Sequence, residues 1–131
     1  MERLYGKECD PKQLSPLALA FVGDAAFELF VRERLLCMGN RPVNKLHSLS
    51  VEQVCASAQA GFVEKLKPIL TDEEKEILRR GRNAHTNHVP KNAEVSQYHA
   101  ATAFETLFGY LYLRGDIDRL RTIFNFICGE K

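Results

Sequence analysis

Asp24 lies in LALAFVGDAAFE and Glu105 in ATAFETLFGYLYL, two apolar stretches with helical spacing that do not account for their acids. A carboxylate among Leu, Phe, Gly and Ala is costly unless something pairs with it, and a divalent cation is one such partner. Carboxylate oxygens are hard ligands suited to Mg2+, with waters completing its octahedron. Such an ion activates water and neutralises charge on a phosphoryl oxygen, so two acids sharing it across a helix crossing would make a phosphodiester site. A plainer reading stays open for each. Glu105 could be a solvent-facing residue on a core helix, and Asp24 could sit on a helix rim. Gly23 sharpens the question, because a mid-helix glycine costs about 1 kcal/mol against alanine and calls for close packing or a crowded site. No short metal motif joins the two acids.

Glu28 stands four residues from both Asp24 and Arg32, and its spacing to the arginine predicts an exposed ion pair. A second kind of chemistry gathers between the acidic stretches. Residues 77–93 carry Arg79, Arg80, Arg82 and Lys91 with no acid, which leaves the rest of the chain at −3 within an overall charge of +1. His85 and His88 add charge below neutral pH. Arginine forks bind phosphate bidentately, and Asn83 and Thr86 supply neutral contacts, so the segment suits a sugar–phosphate backbone. It equally suits a solvated helix end, where arginine favours the dipole. Gly81 among the arginines can make a sharp turn. The three-residue spacing of His85 and His88 could ligate a metal, but no third ligand is near and the reading is set aside. Tyr98 and His99 precede Thr102 and Glu105 on one helix, facing either substrate or core. Nothing beyond the presence of the residue types supports a Cys–His or Ser–His–Asp arrangement.

The elements that must position these groups are helical. Ser15-Pro16 is a helix start, with serine as cap and proline at the first position. The helix should run from Pro16 to Cys37 on a stripe of Leu17, Phe21, Phe27, Val31 and Leu35, stopping at Met38-Gly39-Asn40. Pro42 to Leu46 predicts a short helical turn, and Ser50 to Lys67 a second long helix ended by Pro68. Thr71-Asp72-Glu73-Glu74 is a capping box for a helix to Arg80. Gly81 to Pro90 is a loop by composition. Asn92 caps a dense apolar helix from Glu94 to Arg114, Gly115-Asp116 breaks it, and Ile117 to Ile127 closes the chain as an amphipathic helix. With no strand pattern, the fold class is all-α.

Bulk properties fit that picture. The 131 residues, 45% hydrophobic and 27% charged, suit one soluble domain with a real core. Cys9, Cys37, Cys55 and Cys128 form no CxxC pair and no disulfide framework, and are expected as small core residues. Without a signal peptide or a membrane-length apolar run, a reducing cytoplasm is the expected setting.

Taken together, the blocks LALAFVGDAAFE, RRGRNA, VPKNAEV and TAFETLFGYLYL, in that order from Gln13 to Leu120, resemble the ribonuclease III family. The similarity is greatest to its small bacterial branch, Mini-ribonuclease III, which lacks a double-stranded RNA-binding domain. The resemblance implies a ribonuclease III-like helical bundle over residues 1–131, working as a homodimer that cleaves double-stranded RNA with Mg2+. Asp24 and Glu105 fall at the catalytic, metal-holding acids. Two further acids of the larger enzymes are replaced here by Ala20 and Thr102, and Leu17 stands where another signature acid is usual. Fewer protein ligands imply weaker metal affinity in the absence of RNA.

On this reading Arg79, Arg80, Arg82, Asn83, His85, Thr86, His88 and Lys91 hold the RNA backbone by shape rather than by base edges. The dimer uses the Phe21/Phe27 helix and part of the Phe104/Phe108 helix. The family's role points to maturation of the large-subunit (23S) ribosomal RNA precursor, with products carrying 5′-phosphate ends. Two rivals remain: a non-catalytic helical module that binds structured RNA or a ribosomal surface, and a helical protein–protein adaptor.

Overall fold

In the computed structural model, which describes residues 3–84 and 94–129, a 3-10 turn over Pro11–Gln13 leads into six helices. These are α1 (Pro16–Met38), α2 (Val43–Val54), α3 (Ala56–Leu66), α4 (Asp72–Arg82), α5 (Val95–Leu113) and α6 (Ile117–Ile127). No strand occurs among the described residues, so the all-α expectation holds.

The predicted helix ends follow from local chemistry. Ser15 Oγ accepts from the Ala18 amide at 3.2 Å, and Pro16 takes the first position. Gly39, at φ 149°, ends α1 in a conformation that side chains rarely adopt. Thr71 and Glu74 exchange side-chain and backbone hydrogen bonds at 3.1 and 2.9 Å, completing the capping box. Gly115, at φ 80°, turns the chain between α5 and α6. The Asn92 cap lies outside the described residues.

α5 is the axis of the bundle. α1, α3 and α4 all pack on it, and its residues from Ala100 to Leu111 are buried except Glu105. The Phe27 ring of α1 meets Phe104 and Phe108 edge-on, at centroid distances of 4.8 and 5.3 Å. Interlocked rings of this kind contribute beyond the apolar area they bury.

Several expectations are corrected. The helix predicted over Ser50 to Lys67 is two: α2 starts early, at Val43, and the chain turns extended at Cys55 (φ −68°, ψ 159°) before α3. Gly81 makes no turn. It is buried inside α4, where an added Cβ would lie 2.6 Å from Thr106 Oγ1 and 3.0 Å from Ala103 Cα, so it lets α4 close onto α5. On α1 the stripe is buried only from Phe27 onward, while Leu17 and Phe21 are exposed. None of the cysteines is a core residue: Cys9 and Cys37 are exposed, and Cys55 and Cys128 half-buried. Among the described residues no helix is long and apolar enough to cross a membrane.

Candidate active site

The two acids meet because two glycines let their helices touch. A Cβ on Gly23 would fall 1.8 Å from the Glu105 carbonyl oxygen, and one on Gly109 would fall 1.9 Å from that of Leu19. α1 and α5 therefore cross backbone against backbone. Asp24, the residue after Gly23, and Glu105, one turn before Gly109, project into the same cleft of about 480 Å3. Leu17, Ala20 and Phe21 line it from α1, and Tyr98 and Thr102 from α5.

Their environments differ. Asp24 is exposed on the rim, so its charge costs less than its apolar sequence context suggests. Glu105 is half-buried. Burial, then the hydrogen bond and charge of Asp24, raise its pKa to about 8, with only the amide of Gln59 acting the other way. The site is thus a pair of acids whose joint ionisation is penalised unless a positive charge arrives. Among the described residues no three His, Cys, Asp or Glu side chains gather as a metal cluster.

Thr102 on the cleft wall and Thr106, one turn deeper on α5, are engaged elsewhere. The Thr102 hydroxyl donates to Tyr98 O at 3.0 Å, and that of Thr106 donates to Thr102 O at 2.7 Å and to Pro16 O at 3.2 Å. Both are tied to backbone. Glu28 pairs with Arg32 at 2.9 Å, as its spacing predicts.

Arg79, Arg80, Arg82 and Asn83 are exposed at the end of α4. Arg79 is already gripped by Glu76 through Nε at 2.9 Å and a terminal nitrogen at 2.6 Å. Arg82 and Arg79 flank a groove of about 380 Å3, shared with Lys67 and Lys75. His85, Thr86, His88 and Lys91 lie outside the described residues.

Sequence reasoning missed Gln59. It is 1% exposed and shares the buried face of α3 with Val63 and Leu66. The four- and seven-residue spacing of this trio is the signal the sequence carries, and a polar residue at its head hides it.

A family model, the Ribonuclease III domain, matches residues 17–116, a span that contains both acids and the helix crossing. The chain belongs to the ribonuclease III family. A Mini-ribonuclease 3 of Thermoanaerobacter sp. (strain X514) is 50% identical over 110 residues, covering 84% of this chain and 78% of the relative. That of Symbiobacterium thermophilum is 48% identical over 114 residues, covering 87% and 88%. That of Enterococcus faecalis is 42% identical over 124 residues, covering 93% of each. The crystal structure of a Fusobacterium nucleatum protein superposes with a TM-score of 0.82 at 31% identity, covering 92% of this chain and 98% of the other.

The chain is therefore an endoribonuclease with the ribonuclease III fold, of the Mini-ribonuclease III type. Leu17, Ala20 and Thr102, expected from the resemblance to stand where larger relatives carry acids, all line the cleft beside Asp24 and Glu105.

Proposed function

We propose that this chain is a Mg2+-dependent endonuclease for double-stranded RNA, acting in the cytoplasm as a homodimer on the precursor of large-subunit (23S) ribosomal RNA. The observation that carries the reading is the convergence of Asp24 and Glu105 in one open cleft, with Glu105 raised to about 8 by burial and by its neighbour. That electrostatic state fits a divalent cation. Two hard carboxylate oxygen donors converge, and among the described residues no cation is seen to stabilise the charged form of Glu105. Asp24 and Glu105 would hold the ion. Mg2+ bound there supplies positive charge for a phosphoryl oxygen and acidifies a water.

The chain's own groups do the rest. Asp24 would offer its oxygens from the rim of the cleft, and Glu105, recessed and half-buried, would offer its own in the charged form. Phe21 and Leu17 on one side and Tyr98 on the other form walls against the sugar–phosphate chain. Arg80, Arg82 and Asn83, with Arg79, His85, Thr86, His88 and Lys91, hold backbone farther along the duplex. Two-fold pairing would present one site to each strand. Family membership supports the ribosomal substrate and products with 5′-phosphate and 3′-hydroxyl ends.

The two helices expected at the dimer surface, α1 and α5, also carry much of the core. Phe27, Phe104 and Phe108 are 1%, 0% and 0% exposed inside a single chain, so they belong to its own core. Phe21, 84% exposed, is the member of that group outside the core.

The test is cleavage of duplex RNA and of a 23S precursor fragment by wild type and Asp24→Asn, each with Mg2+ and with EDTA. Wild type with Mg2+ should cut, and the other three combinations should not, with folding and RNA affinity largely kept in the variant. Binding without cutting by wild type would instead establish the non-catalytic RNA-binding module.

A further inference from the structure

Three observations meet on the amide of Gln59. Its Nε2 donates at 3.0 Å to the carbonyl of Val54, the last residue of α2, where the chain turns extended at Cys55. The same amide acts on the Glu105 carboxylate and favours its charged form. Its Oε1 is buried without a hydrogen-bond partner among the described residues. A methionine or leucine would fill this space without leaving a buried acceptor unpaired, so packing alone does not account for an amide here. A primary amide nitrogen carries two hydrogens in a fixed fork. One is spent on Val54, and the other is available to the acid.

We infer that Gln59 is a positioning residue for cleavage: its amide ties the Glu105 carboxylate to the Val54 carbonyl at the α2–α3 break and so fixes it toward Asp24. The inference rests on the duplex-RNA reading above. It also gives the break a purpose, since a continuous helix through Cys55 would use the Val54 carbonyl in its own ladder and leave the amide unanchored. Groups that orient a metal-holding side chain, without touching the metal, commonly change affinity or rate by roughly 10–100-fold when removed.

The experiment compares wild type, Asp24→Asn and Gln59→Met in two assays. One is steady-state cleavage of duplex RNA over a Mg2+ titration. The other is calorimetric Mn2+ binding to the protein without RNA. Gln59→Met should lower kcat roughly 10–100-fold with little change in KM for RNA, raise the Mg2+ needed for half-maximal rate, and weaken Mn2+ binding by a similar factor. Gln59→Asn keeps an amide but is one methylene too short to span Val54 and Glu105 together. It should show the same losses and carries the test if Gln59→Met fails to fold.

A folded variant with wild-type kcat and wild-type Mn2+ binding would overturn the inference and leave Gln59 as a staple of the helix break. If wild type itself does not cut duplex RNA, the proposed function fails and the Mn2+ arm alone decides the role of Gln59.

Discussion

Gly23 of α1 and Gly109 of α5 press against each other where the two helices cross. A Cβ on Gly23 would stand 2.7 Å from the Gly109 amide nitrogen, and one on Gly109 would stand 3.1 Å from that of Gly23. The atoms in the way are backbone, which cannot swing aside as a side-chain tip can. Gly23→Ala gains about 1 kcal/mol of helix propensity but must push α1 off α5. A net loss of about 1–3 kcal/mol in urea unfolding is expected. Cleavage should fall further than stability, by about 100-fold at a temperature where the variant is folded, because Asp24 and Glu105 part with their helices. A folded Gly23→Ala with full activity would show that the crossing does not set the distance between the acids.

Glu105 predicts an unusual pH dependence. Its pKa is about 8 in the folded chain, against an ordinary value of 4.5, because of burial and then the hydrogen bond and charge of Asp24. Between those pH values the folded chain keeps a proton that the unfolded chain has released. In EDTA this group's contribution to stability therefore falls as pH rises from about 4.5 to about 8, then levels off. Glu105→Gln stays neutral and escapes the loss. Thermal melts in EDTA should show the variant gaining on wild type by several degrees between pH 5 and pH 8.5. A gap that does not change with pH would refute the assignment.

The arginines at the end of α4 should not contribute equally. Arg79 is held by Glu76, whereas Arg80 and Arg82 are exposed and carry no such clamp among the described residues. Reversing charge with Arg80→Glu or Arg82→Glu should raise KM for duplex RNA several-fold, flatten its salt dependence and leave kcat near wild type. Arg79→Ala should do less. Equal effects at all three positions would mean that the Glu76 pair opens on binding.

A structural prediction concerns Glu74, 3% exposed. It caps α4 and also receives two hydrogen bonds from Arg119, each at 2.7 Å. Burial pushes its carboxyl up, but Arg119 and the Thr71 amide outweigh that and hold it below its ordinary value. Its stabilising contribution is therefore complete above the ordinary carboxylate range and fades as pH falls through the lowered value. Glu74→Ala strands Arg119 and uncaps α4, so a loss of about 3–5 kcal/mol is expected at pH 7 by denaturant unfolding. The difference should shrink in acid.

The sequence was most legible where a side chain acts on its own backbone. Ser15-Pro16, Thr71 with Glu74, and Gly115 each announced a helix boundary that the structure contains. The break at Cys55 was hidden. No glycine or proline marks it, and part of what satisfies it, the Gln59 side chain, comes from the next helix. Leu17 and Phe21 read as core because their spacing matches that of Phe27, yet a hydrophobic period does not say where along a helix its cover ends. In α5, burial on nearly every side erases the period itself, so nothing local reveals that Glu105 faces α1. Asp24 and Glu105 could be singled out as candidates from composition, but their meeting depends on the tertiary contact at Gly23 and Gly109.

Because α5 is sheathed by three other helices, Glu105 rides on the part of the molecule that opens last. Its amides should exchange with solvent only through global unfolding, at the full free energy of the fold. On the proposed function, accommodation of a duplex would fall to the outer wall, where Phe21 stands clear of the core, while the recessed acid would keep its place.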